Sequence, residues 1–107
     1  MNIMRGDAYP VPFVVLQDGM TIEPEMISKL EVCIGTSIRK VYPDGGVNYD
    51  PETASWFVDL TQEETLKLPV TDLSVIARVQ FPAPKDDVIG VELGTIHIVN
   101  THSKVVL

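Results

Sequence analysis

Apolar and polar residues alternate along much of this chain, and proline or glycine interrupts the alternation at intervals of roughly eight to fifteen residues, the mark of short antiparallel strands. Tyr9, Val11, Phe13 and Val15 share one side of an extended segment, with Pro10 and Pro12 on the other. A proline donates no ladder hydrogen bond, so this strand is expected at a sheet edge, or its early part outside the ladder. Asp18-Gly19 supplies a turn. Leu30, Val32 and Ile34 form the next inward set, with Lys29, Glu31 and Cys33 between them and Gly35 at the end. SIRKVY reads as an edge strand in which Arg39 and Lys40 guard against aggregation. PDGG at 43–46 is a turn, Val47 and Tyr49 follow, and Asp50-Pro51 opens a loop. Trp56, Val58 and Leu60 are the inward face of SWFVDL.

A different signal then appears. Thr61 is a good N-cap and Glu64 stands three residues later, which together make a capping box. Pro69 stops the helix, so a short turn is expected over 62–67, crossing from one sheet to another. A helix this short is unstable alone. Leu66 and Leu68 are therefore expected to plug one end of a core. The cleanest strand follows, with Leu73, Val75, Ala77, Val79 and Phe81 inward. PAPKDD is a hairpin loop. Beyond it Ile89, Val91 and Leu93 share one parity, whereas Ile96 and Ile98 hold the other. A two-residue period changes phase only through an extra residue, so a bulge is expected near Gly94. KVVL at the end reads as a last short strand.

Roughly six or seven strands and one helical turn predict an all-β fold, an immunoglobulin-like antiparallel β-sandwich spanning 1–107 as a single domain. A barrel is the alternative. The single cysteine, Cys33, forms no internal disulfide, so the likeness to antibody domains is one of architecture. Cys33 reads as a buried thiol and suits a reducing compartment.

Charge narrows the partners. Eight basic residues face fifteen acidic ones, for a net charge of −7. Phosphate backbones and acidic membrane surfaces both demand the opposite balance, so neither nucleic acid nor membrane is an expected partner. The sequence holds no stretch of signal-peptide character and no run long enough to span a bilayer.

No catalytic constellation emerges. His97 and His102 lack a cysteine pair or an HExxH helix, so a metal site is not expected. No serine sits in a G-x-S-x-G elbow. No glycine run forms a phosphate loop, and no cofactor is implied. Asp86-Asp87 lie in a loop suited at most to weak calcium binding. Arg5-Gly6-Asp7 has the letters of an adhesion tripeptide, but Gly6-Asp7 reads better as the turn that feeds the first strand. Contact with other proteins remains, and the candidate interface residues are Phe57, Ile76, Val14, Tyr42 and Tyr49, with Val99 and the Met1–Met4 arm as further outward apolar positions.

The order of these features is familiar. RGDAYPVPFVV, then LQDGMTI, LEVCIG, DLTQEETLKLP, VIARVQF and finally GTIHIVN together resemble the N-terminal immunoglobulin-like domain of phage baseplate upper proteins and small prophage proteins of similar make-up. The likeness spans nearly the whole chain and lies in order and spacing. It implies a non-catalytic sandwich that docks into a tail or baseplate, with other virion proteins or copies of itself as partners. Synthesis would take place in the host cytoplasm, with the particle as the destination. The family positions shared here are structural: Gly6 and Asp7 in the turn, Thr61 and Glu64 in the cap. In the baseplate proteins further segments follow this domain, whereas this sequence ends at Leu107, so a small stand-alone protein is expected. A carbohydrate-binding module is the alternative, and coplanar exposed aromatics among Tyr42, Tyr49, Trp56 and Phe57 would favour it.

Overall fold

In the computed structural model, which describes residues 1–85, 87–102 and 105–107, the chain is all-β apart from one short α-helix and one 3-10 turn. Ten strands run in order: β1 (Asn2–Met4), β2 (Pro10–Phe13), β3 (Leu16–Gln17), β4 (Met20–Thr21), β5 (Lys29–Ile34), β6 (Ile38–Tyr42), β7 (Val47–Asp50), β8 (Ser55–Asp59), β9 (Asp72–Gln80) and β10 (Val88–Val99). Helix α1 (Gln62–Leu66) joins β8 to β9. The larger sheet has the order β1-β10-β9-β5-β6 and the smaller the order β2-β8-β7, with β3 and β4 as a separate ribbon. All pairings are antiparallel except β1 with β10.

Ten strands exceed the six or seven expected because three of them, β1, β3 and β4, are only two or three residues long. β3 and β4 are the arms of the hairpin at Asp18-Gly19. Both turn residues have positive φ, 52° and 79°, as a two-residue hairpin requires. β1 is the greater surprise. The Met1–Met4 arm was expected to be surface, yet Ile3 is fully buried, while Met1, Asn2 and Met4 are exposed. Conversely, Val105–Leu107 form no strand; Lys104, the first residue of KVVL, lies outside the described residues.

The inward sets read from alternation make one core. Val11, Val47, Trp56 and Val58 of the smaller sheet join Leu30, Val32, Val75, Ala77 and Val79 of the larger one in a single buried cluster. Trp56 stands at its centre with no exposed surface. Its indole N–H donates to the Ile22 carbonyl at 2.9 Å, which removes the cost of burying a lone donor. The phase change in β10 occurs where an extra residue was expected: Glu92 pairs with Ile76 but Gly94 with Val75, so Leu93 is the bulged residue. Gly94 has φ 143°, outside the range comfortable for other residues. The bulge lets Val91 and Ile96 point to the same side.

One helical turn needs outside support, and α1 receives it from both neighbours in space. Thr61 accepts from the Glu64 N–H at 3.2 Å, and Glu64 accepts from the Thr61 N–H at 3.0 Å, completing the capping box. Leu68 is buried and Leu66 half-buried, as a core plug requires. Thr65, which sequence reading passed over, is fully buried. Its hydroxyl accepts from the Gly6 N–H at 2.9 Å and donates to the Asp7 carbonyl at 2.8 Å. The Arg5 guanidinium caps the Leu66 carbonyl at the other end. Arg5-Gly6-Asp7 is thus a clasp between the N-terminal turn and α1.

Lys40 departs from its expected role. It is no free edge guard: its ammonium bonds Glu64 at 2.8 Å and the Asp59 carbonyl at 2.6 Å. Gly46, at φ 86°, leaves the space its chain occupies, since a Cβ there would stand 2.4 Å from the Lys40 Cδ.

Replacing Thr65 by valine keeps the side-chain shape and strips the hydroxyl. Chemical denaturation is expected to show a loss of about 1–3 kcal/mol, because Gly6 N–H and Asp7 C=O lose their partner. Thr65→Ser should lose clearly less. Equal losses for the two variants would refute the clasp.

Candidate functional site

Strand edges carry the reactive backbone of an all-β protein, and this fold treats its edges unequally. β2 is an edge of the smaller sheet, as its two prolines predicted, and Pro10 and Pro12 blunt it. β6 and β7, the other flanks, are five and four residues long. β1 flanks the larger sheet but is three residues long. It pairs only with His97, Ile98 and Val99 of β10, a strand of twelve residues. Among the described residues no strand lies beside the outer side of β10 from Val88 to Ile96.

Hydrogen-bond parity shows which groups this edge presents. At the hairpin mouth Phe81 N–H donates to the Asp87 carbonyl at 2.9 Å. Bonded and non-bonded pairs alternate along an antiparallel ladder. Hence Ile89 with Val79 and Val91 with Ala77 are the bonded pairs, and Val88, Gly90 and Glu92 turn their N–H and C=O outward. Blunting features are confined to the far end of this stretch, in the charge of Glu92 and the bulge at Leu93; it holds no proline and no lysine.

The side chains beside this edge are apolar and uncovered. Ile89 and Val91 share the core side with their partners Val79 and Ala77, which are 2% and 0% exposed, yet they are themselves 49% and 39% exposed. The smaller sheet does not reach over them. Leu16, on the β3–β4 ribbon, is exposed as well and lines one shallow recess with Ile89, Val91 and Phe81. Further along, a cleft of about 230 Å³ opens between the sheets, walled by Val11, Phe13 and Val58 on one side and Ile34, Val75 and Ile96 on the other.

The candidate residues from the sequence do not gather into one patch. Ile76 is 45% exposed and lies on the outer face of the larger sheet. Phe57 is half-buried on the outer face of the smaller sheet, opposite Pro12, and Val14 is exposed just beyond β2. Val99 is half-buried against Met4. Tyr42 and Tyr49 are packing partners: both rings meet Trp56 edge-on at 5.0 Å, at interplanar angles of 77° and 61°. These aromatics brace the core instead of lying coplanar, and the buried Trp56 offers no face to a sugar.

The outer face of the larger sheet carries an ion network. Glu31 is buried beneath two guanidiniums, accepting from Arg78 Nε at 2.7 Å and from Arg39 Nε at 2.5 Å. The hydrogen bond from Arg78 leads in holding its carboxyl down to about 2, with the Arg39 bond and both positive charges adding, against burial that pushes upward. Cys33 shares this face and is half-buried, a correction to the buried thiol expected. An outward strand position next to exposed Arg39 leaves it partly open. Burial, and then the Glu31 charge, push its thiol upward, so it is no activated nucleophile.

His97 is exposed on the outer face and pairs with Asp72. His102 is exposed near the C-terminus. Among the described residues no three of histidine, cysteine, aspartate and glutamate are grouped to hold a metal ion, and no helix is long and apolar enough to cross a membrane. The Asp86-Asp87 pair lies partly outside the described residues, since Asp86 is not among them. No protein-family model matches the chain, and no curated protein or solved structure does.

Glu31 gives the fold an acid limit. A carboxyl whose pKa is lowered by folding stabilises fully above its unfolded value of 4.5, and that contribution is lost as pH falls through about 2. Thermal unfolding of the parent protein is therefore expected to lose stability over that window, and Glu31→Gln to show a flatter slope there. Parallel slopes would contradict the network.

Proposed function

We propose that this chain is a non-catalytic structural protein of a phage or prophage, an immunoglobulin-like sandwich that enters a tail or baseplate assembly through protein–protein contact. The observation that carries the reading is the open β10 edge with uncovered Ile89, Val91 and Leu16 beside it. An exposed edge recruits a strand through main-chain hydrogen bonds, and neighbouring apolar side chains add affinity. Two sheets around one core agree with the sandwich part of the reading. The order of sequence features supplies the phage part. Partners in this reading are other tail or virion proteins and copies of the chain itself, met first in the host cytoplasm.

Quantitative mass spectrometry of particles and tail intermediates, purified after induction of the source strain, tests the assembly role. The chain is expected in a fixed ratio to tail proteins in at least one assembled fraction. Finding it only as free protein would overturn the role.

A further inference from the structure

The open edge calls for a strand, and the segment that forms it is suited to supply one. We propose that two copies of this chain pair through β10, antiparallel, about a two-fold axis at Gly90; this rests on the protein–protein contact reading above and names the partner. The outward N–H and C=O groups of Val88, Gly90 and Glu92 set the bonding positions. An axis at Gly90 brings Gly90 opposite Gly90, and Val88 of each copy opposite Glu92 of the other, so all three outward residues find bonded pairs. Ile89 of one copy then faces Val91 of the other, twice, as non-bonded pairs in which side chains approach most closely. Both residues lie on the uncovered core side, so the pairing shelters the apolar surface the smaller sheet leaves open.

Charge and shape favour this register over those shifted toward the bulge. An axis at Glu92 would set two carboxylates directly opposite one another, which is unfavourable. An axis at Val91 would draw the Leu93 bulge and Gly94, at φ 143°, into the ladder. The Gly90 axis uses only the regular stretch before the bulge, and it stops short of His97, where β1 begins. Symmetric use of one patch is the commonest route to a closed dimer. Each copy carries a net charge of −7, so the pairing should tighten as salt screens the repulsion.

Sedimentation equilibrium of the full chain across concentration and salt tests the proposal. A reversible dimer, tighter at higher salt, is expected. Val91→Lys should weaken it by about tenfold or more, since the substitution places charge in an apolar pair, while Ile76→Lys, on the other face, should leave it unchanged. Folding of both variants is checked by circular dichroism. As a second measurement, Ile89→Cys with Val91→Cys in a Cys33→Ser background should yield a disulfide-linked dimer on mild oxidation, whereas Ile76→Cys in that background should not. A strict monomer at high concentration, or a dimer indifferent to Val91→Lys, would overturn the pairing even if the chain is found in tail fractions. A dimer that cross-links as described upholds it, even if the chain is never found in a particle.

Discussion

Every N–H and C=O on a strand needs a partner or water, and this fold is organised by how it meets that demand at its sheet edges. β1 lies along only the last three residues of β10, so the longest strand of the molecule is sheltered at one end and open along the rest. The same mismatch explains the uncovered side chains. A three-stranded sheet cannot roof a five-stranded one, and Ile89 and Val91 sit where the roof ends. Elsewhere the demand is met locally: prolines remove donors from β2, and Thr65 takes up Gly6 N–H and Asp7 C=O where the chain turns between β1 and β2.

Two anchors hold this unequal pair of sheets in place. Trp56 fixes the centre, its indole N–H on the Ile22 carbonyl and its ring braced by Tyr42 and Tyr49. The second anchor is α1, a single turn that Arg5, Gly6 and Asp7 grip on one side while Lys40 holds the Glu64 carboxylate on the other. Burial pushes the Glu64 carboxyl upward, but the bonds from Lys40 and the Thr61 N–H leave it lowered overall, so the cap is held ionised. A tripeptide with the letters of an adhesion motif is thereby spent on structure.

Strand interiors were legible in the sequence because a two-residue period leaves its mark on any strand with one buried face. Leu73 to Phe81, Leu30 to Ile34, the capping box and the phase change before Ile96 all follow from that rule or from cap chemistry. What alternation cannot convey is how far the opposite layer extends. Ile89 and Val91 have the pattern of core residues, and only the width of the facing sheet makes them surface. Tyr42 and Tyr49 show the same limit: Tyr49 meets Trp56 across the β7–β8 hairpin and Tyr42 reaches it from β6 in the other sheet, placements that alternation along one strand does not convey. A signal for β1 was present in Ile3, a lone apolar residue between polar Asn2 and the exposed Met4, but three residues are too few to show a period.

Residue-resolved amide exchange in β10 tests the open edge most directly. At dilute concentration, Ile89 and Val91 amides, bonded to β9, should exchange slowly, while Val88, Gly90 and Glu92 exchange fast and gain protection as concentration rises. Uniform protection, or uniform lack of it, from Val88 to Glu92 in dilute solution would contradict the account.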